Sequence, residues 1–354
     1  MAYTNGLDKP SDYFVTKLFT GNGSNGHAIS GLDFQPAWVW LKNRNTGNTH
    51  EAFDSVRGAT KTLYPDRSDA EYVNSTGSLT SFNSDGFTVG SGDGANKSGS
   101  GIVSWNWVAG TSFTNDASAT GIGSIDSTGS VNTDAGFSII SWTGDGNNGA
   151  TIAHGLGVTP AIVITKRRSA VGDWLVGGST INTARGGANS LLLLNTTAAM
   201  DSNSEVYQTF SSTTFQVGVN AYANTSGSTM ISYCFAEKQG YSKFGSYTGN
   251  GSTDGTFVYT GFKPAWLLVK STAANDWILQ DTKRSPHNVS NVTLFPNDNG
   301  ADVTNTIYNQ DILSNGFKAR TTHARLNGSG VTYIYMAIAE NPFVTSTGVP
   351  ATAR

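Results

Sequence analysis

The chain has 354 residues, of which 13% are charged and 11% aromatic, with 42 glycines, a single cysteine and a formal net charge of −3. So little Glu, Lys and Arg excludes long surface helices, and the near-neutral balance excludes a basic footprint for nucleic acid. Recurrent apolar bursts exclude disorder, and the lone Cys234 excludes an intramolecular disulfide and a zinc cluster.

The first twelve residues are polar and read as an arm that orders against a partner. They carry no charged leader followed by an apolar run, and no later stretch approaches the ~18 apolar residues of a membrane span. The expectation is a soluble protein made in the cytoplasm without a signal peptide. From residue 13 the chain repeats itself. "FTGNGSNGHAISGLDFQPAWVWLK" (19–42), "WTGDGNNGATIAHGLGVTPAIVITK" (142–166) and "YTGNGSTDGTFVYTGFKPAWLLVK" (247–270) share a Gly/Asn turn, a Pro-led apolar run and a terminal lysine. Pro36, Pro160 and Pro264 are each followed six positions later by Lys42, Lys166 and Lys270. Later landmarks keep the same order: Phe87, Phe215 and Phe317 in short strand-like runs, then "IVSWNWVAG", "MISYCFAEK" and "YIYMAIAEN". The first and third copies share Asp-x-x-Arg (Asp54 and Arg57, Asp281 and Arg284), whereas the second reads "VGGSTIN" there.

These landmarks predict an all-β chain of three tandem antiparallel β-sandwich modules, jelly-roll or lectin-like, each of about 100 residues. The boundaries are an arm over 1–12, modules over 13–110, 137–240 and 241–344, and a tail over 345–354. Residues 111–136 read as a Gly/Ser/Thr linker whose Ser124–Ile125 and Val131–Asn132 could join module two as strands. Modules two and three meet almost without a linker and are expected to pack the more rigidly. In module three the strands fall near 241–247, 257–261, 265–270, 277–281, 292–295, 316–320 and 332–339, and no window has helical period. The Pro-led runs are apolar at successive positions, as in strands covered on both faces, with proline at the first residue where a missing N–H costs no ladder bond.

No arrangement of residues carries obvious chemistry. The five histidines (His27, His50, His154, His287, His323) lack ligand spacing, and the Asp/Asn/Gly groupings match no calcium loop, so neither metal nor cofactor is expected. Cys234 lies in an apolar run and reads as a small core filler. Glu237 and Glu340 occupy matching positions, but a glycosidase needs two carboxylates across one cleft, so each is expected to pair locally. Asp54–Arg57 and Asp281–Arg284 read as ion pairs bracing a loop, or as contacts to a neighbouring subunit. Trp38, Trp40 and Trp266 stand where another copy has Ile162, Ile164 or Leu268, so they fill core volume. Any ligand or partner surface then falls to variable loops, with Tyr72, Trp174, Tyr207, Tyr222 and Tyr308 as candidates. The Asn-x-Ser/Thr triplets, Asn22, Asn74, Asn195, Asn224, Asn250 and Asn327 among them, are what chance yields in so Asn-rich a chain.

The stretches "DYFVTKLFTGNGS", "GFKPAWLLVKS", "LSNGFKAR" and "YIYMAIAENPFVTSTGVPATAR", with the threefold layout, resemble a group of virion proteins of marine bacteriophages over residues 13–354. The resemblance implies a non-enzymatic particle component, labelled as tail-fibre, tail-associated or head-associated, and brings no site residues. The expected partners are other virion proteins and further copies of the chain, a trimer being the guess, with a host-surface glycan as a further candidate; the alternative reading is a carbohydrate-binding, lectin-like module array used for host adsorption, and nucleic acid and membrane are not expected.

Overall fold

The computed structural model describes residues 7–342 together with Val344, Thr345 and Thr347. The first repeat supplies β1 (Phe14–Thr20), β2 (His27–Ser30), β3 (Trp38–Asn43), β4 (Glu51–Asp54), β5 (Lys61–Thr62), β6 (Tyr72–Val73), β7 (Leu79–Asn83), β8 (Gly86–Val89) and β9 (Gly101–Trp107). The segment after it holds β10 (Thr111–Asn115) and β11 (Ser127–Asn132). The second repeat supplies β12 (Phe137–Thr143), β13 (Ala150–Ala153), β14 (Ile162–Arg167), β15 (Leu175–Gly177), β16 (Ser190–Leu193), β17 (Asp201–Ser202), β18 (Tyr207–Phe210), β19 (Thr214–Val217) and β20 (Thr229–Phe235). The third has β21 (Ser242–Thr248), β22 (Phe257–Tyr259), β23 (Phe262–Ser271), β24 (Trp277–Asp281), β25 (Val292–Thr293), β26 (Val303–Thr304), β27 (Gln310–Leu313), β28 (Gly316–Ala319) and β29 (Thr332–Pro342). The chain is all-β.

One pairing order occurs three times: β1-β9-β3-β4, β12-β20-β14-β15 and β21-β29-β23-β24. Each such sheet is accompanied by a three-stranded one, β2-β8-β7, β13-β19-β18 or β22-β28-β27. Side chains alternate across a strand, and in the Pro-led strands both faces are buried. Val39 and Leu41 turn to a core shared with Phe53 and Phe87 inside the first repeat, and Val163 and Leu267 do the same in the other two. The intervening positions go the other way. Trp38, Trp40, Trp105 and Trp107 meet Ile162, Ile164 and Tyr233 of the second repeat and Trp266, Leu268 and Met336 of the third in one large cluster. Within it Trp38 stacks on Trp107 and on Tyr233, with ring centroids 4.5 Å apart in both cases. The expectation of three separate cores strung in tandem is therefore incomplete. Each repeat has its own small core, and the largest core belongs to all three, with the first repeat engaging both of the others.

Residues 111–136 join the second repeat through strands, and Val131–Asn132 lies in one of them as expected. β11 pairs antiparallel with the free edge of β12, and β10 with β11. Ser124–Ile125 forms no named strand but touches β13 through a parallel bridge, Ile125 to Ile152. Among the described residues four short helices occur where no helical period was visible: α1 (Asp93–Asn96), α2 (Ala117–Thr120), α3 (Ser179–Arg185) and α4 (Ala221–Asn224). The longest, α3, follows Gly178 at φ 131°, where a Cβ would lie 2.2 Å from the Ala161 carbonyl oxygen. Of the expected arm, Leu7 is buried in the shared core and Pro10–Asp12 make one 3-10 turn; residues 1–6 and most of the 345–354 tail lie outside the described residues.

The repeated T-G-N/D-G phrase has a definite partner. Asn96, Asn224 and Asn327, all fully buried, accept through Oδ1 from the backbone N–H of Asn22, Asp145 and Asn250 at 2.9, 3.1 and 3.0 Å. Their Nδ2 groups donate back to the same turns, to Ser24 O, Asn147 O and Ser252 O at 2.9, 2.9 and 2.7 Å. A Cβ on Gly21, Gly144 or Gly249 would fall 2.2–2.4 Å from a backbone oxygen, so the turn approaches too closely for any residue but glycine. Asn224 and Asn327, taken from sequence as chance triplets, are thus the anchors of the fold's own signature, in the shared pattern Asn-x-Ser-Gly (96–99, 224–227, 327–330). Removing an amide that satisfies buried backbone groups costs about 1–3 kcal/mol for each group stranded. Asn224→Ala is therefore expected to lower unfolding free energy by roughly 2–4 kcal/mol, measured as the shift of the urea midpoint at unchanged slope.

Candidate functional site

The polar side chains buried deepest lie where the repeats meet. Where the second repeat faces the first, Asp54 Oδ2 accepts from Arg57 Nε at 2.5 Å and from Tyr233 Oη at 2.6 Å. Arg57 also donates to Glu71 Oε2 at 3.1 Å, and Arg168 of the second repeat grips both Glu71 oxygens at 2.9 and 3.0 Å. Burial opposes the Arg57 charge, but Asp54, Tyr233 and Glu71 outweigh it and hold the guanidinium more firmly protonated than usual. Burial likewise pushes the Tyr233 phenol upward, keeping it a donor.

Where the first repeat faces the third, the same construction recurs. Asp281 Oδ2 accepts from Arg284 Nε at 2.6 Å and from Trp105 Nε1 at 3.1 Å. Arg284 reaches Asp302 at 3.0 Å, which Arg44 of the first repeat binds at 2.7 Å. The ion pairs therefore are local, and each is completed by an aromatic donor from another repeat of the same chain.

The third seam, between the third and second repeats, has the backbone link without the charges. Met200 N donates to Thr272 O at 2.8 Å, just as Glu71 N donates to Arg168 O and Asp302 N to Arg44 O at 2.8 Å. Strand register places Gly178 where the other seams have aspartate, Ile181 where they have arginine, and Met336 where they have Tyr233 or Trp105. Ile181 and Met336 are buried in the shared core. The absence of Asp-x-x-Arg from the second repeat is thus matched by the loss of its aromatic donor, arginine and acid elsewhere.

A further set of contacts runs round the same seams. Trp174 Nε1 donates to Tyr64 O and Trp277 Nε1 to Leu193 O, both at 2.8 Å across a seam. His50 holds the corresponding place in the first repeat. Its Nδ1 accepts from Trp40 Nε1 at 2.9 Å, and burial holds its pKa well below the usual value. The three repeat-ending lysines come next. Lys42 Nζ donates to Asn43 O, Thr46 O and, across the seam, Asn299 O at 2.8, 3.3 and 3.1 Å. Lys166 Nζ donates to Gly172 O and, across a seam, Ser68 O at 2.7 and 3.1 Å. Lys270 reaches only local carbonyls, Ser271 O and Ala273 O, both at 2.9 Å. Burial lowers all three to about 8.

Of the residues singled out from sequence as loop contacts, Trp174, Tyr207 and Tyr308 are corrected by burial. Trp174 is locked into the seam, Tyr207 donates to Thr165 Oγ1 at 2.7 Å inside the second repeat's core, and Tyr308 is covered in the third. None presents a ring to a ligand. Tyr72 and Tyr222 are exposed, by 57% and 41%. Glu237 pairs with Lys243 at 2.6 Å and Glu340 with Lys263 at 2.9 Å, so the two matching carboxylates serve separate local bonds. Cys234 is fully buried and its thiol is pushed up to about 12 by burial. The sequence reading passed over two carboxyls: Glu51 and Asp66, both raised to about 7 by burial, each with one oxygen that has no hydrogen-bond partner. Their lone signal in sequence was an acid at the place held by Leu175 or Ile278, and one held by Asn195 or Asn297.

Together these features define an all-β protein whose sandwiches converge on one core and whose buried polar chemistry sits between repeats. The chain belongs to the family described as a domain of unknown function (DUF7483), whose family model matches residues 9–342. No curated protein matches it.

Removing one partner of a buried ion pair typically costs ~3–5 kcal/mol, whereas replacing the whole set by apolar residues is often neutral. Arg57→Met alone should therefore destabilise by about that amount. Adding Asp54→Ala and Tyr233→Met should recover most of the loss in the same urea titration. A pH dependence follows from the lysines. Their folded-state pKa of about 8 lies below the unfolded 10.5, so between those values the unfolded chain holds more protons and stability rises with pH. Buried tyrosines reverse the trend only above the ordinary tyrosine pKa of 10. The urea midpoint should increase from pH 8 to roughly pH 9.5, and Lys270→Met should reduce the slope.

Proposed function

We propose that the chain is a non-enzymatic structural component of a bacteriophage particle, in a tail fibre, at the tail or on the capsid surface, assembling with other virion proteins and with copies of itself. The observation that carries this reading is the use made of its ionisable interior. The Asp54–Arg57 and Asp281–Arg284 pairs and all three lysines are bound into seams or their flanking loops, an arrangement suited to holding a shape. The sequence resemblance over 13–354 adds to it, and so does a core shared by all three repeats, which keeps the surface fixed relative to itself. The place of assembly is the particle. Quantitative mass spectrometry of purified particles from a phage that encodes the chain is expected to find it in stoichiometric amounts. Its absence from particles, with abundant free protein in the lysate, would overturn the assignment.

A further inference from the structure

The second repeat differs from its neighbours on one side, where residues 121–133 cover it. β11 extends the free edge of β12. Just before it, Ser124 N and Ile125 N both donate to Thr151 O of the edge strand β13, at 2.8 and 3.2 Å. Thr151 N donates in turn to Ser124 Oγ at 2.9 Å, and Ser127 Oγ to Ala153 O at 3.1 Å. The outward backbone groups of both edges are thereby satisfied by an extended Gly/Ser/Thr-rich segment, and Ile125 is buried against the core of that repeat.

Among the described residues the third repeat has the same two edges without such a segment. β21 and β22 each end their sheets among the described strands. Register equates Val258, paired with Phe317, with Ile152, paired with Phe215. Phe257 then stands where Thr151 receives the segment, and Tyr259 where Ala153 is covered. Instead of being covered, Phe257 is 44% and Tyr259 59% exposed. Between the two edges runs a groove lined by Ser242, Lys243, Tyr259, Gly261 and Val344. Its one ion pair, Lys243 with Glu237, is already closed at 2.6 Å. Soluble proteins protect open edges with charge, proline or a covering segment, because bare edges with large apolar side chains recruit strands. The first repeat follows that rule: the Asp85 carboxylate caps Gly31 N and Asp33 N at 3.0 and 2.7 Å beside its β2 edge, and Lys17 Nζ lies next to Gly31. The third does not.

We infer that the β21–β22 side of the third repeat is a docking site for an extended Ser/Thr/Gly-rich segment of a partner protein. The segment adds its backbone to the open edge and lays small side chains between Phe257 and Tyr259. The molecule supplies the template for the bond set, since the chain seats such a segment on its own second repeat. Among the described residues Phe257 and Tyr259 stay exposed, whether or not the protein rides on a particle.

The probe is a synthetic peptide of residues 121–133 of this chain. Short tethers hold a strand at millimolar effective concentration, so a free peptide is used at several times ~1 mM. Amide hydrogen exchange is followed by mass spectrometry in the full-length protein. The expected result is about fivefold slower exchange over residues 255–260, with the β1 and β2 edges unchanged. Phe257→Pro, which removes the outward N–H at an edge position proline tolerates, should abolish the slowing. Tyr259→Ser should weaken it, and each variant is checked for an unchanged Tm. Unaltered exchange over 255–260 at that concentration, or equal slowing at all edges, overturns the inference.

Discussion

The constraint on which the structure depends is that each Pro-led strand must hide both of its faces. One face is covered by the three-stranded sheet of its own repeat, as any sandwich would do. The other carries Trp38 and Trp40, Ile162 and Ile164, or Trp266 and Leu268, and has no partner within its repeat. At about 25 cal/mol per Å² of apolar surface, a sheet bearing two tryptophans could not remain exposed. The three outer faces therefore close on one another, and the seams, the threaded lysines and the buried asparagines are consequences of that closure.

Closure leaves polar groups to be satisfied at each seam, and two chemistries serve. Two seams hold an aspartate between an arginine and an aromatic donor; the third holds Gly178, Ile181 and Met336. Since a buried ion pair and a well-packed apolar set often differ little in stability, their coexistence in one molecule needs no difference in strength. What differs is specificity. An aspartate pairs badly with Met336, and a buried methionine cannot satisfy Asp54. The substitutions therefore discourage a repeat from meeting the wrong neighbour, a role that polar groups have in registering coiled coils. The charges distinguish the seams; the apolar core holds them shut.

Much of this was legible in the sequence. Short strand-like apolar runs, Gly/Asn turns and the Pro-to-Lys spacing sufficed for an all-β chain, and in the third repeat for most strand positions. Interchange of Trp with Ile or Leu correctly marked those positions as core. The same evidence could not say which core, because burial against one's own second sheet and burial against another repeat leave an identical apolar residue. The five loop aromatics show the converse. Trp174, Tyr207 and Tyr308 were assigned to variable loops, yet each has a polar tip that finds a hydrogen-bond partner inside the fold. Asn96, Asn224 and Asn327 were hidden by composition: in a chain crowded with Asn, Ser and Gly, three matched Asn-x-Ser-Gly strings look like background until their Nδ2 donors are seen.

Residues 111–136 show why the repeats have diverged on the outside while agreeing within. No residue of β2, β13 or β22 belongs to the shared core, so each of these edges is treated on its own terms. The first has an acid beside it, the second the connecting segment across it, and the third a pair of exposed aromatics. An edge strand is costly to leave bare, since unpaired N–H and C=O groups recruit other chains. Selection for solubility alone would therefore favour replacing Phe257 and Tyr259 with the small or charged residues found at the other edges. Phe257 and Tyr259, exposed beside a groove, are the feature that solubility does not explain.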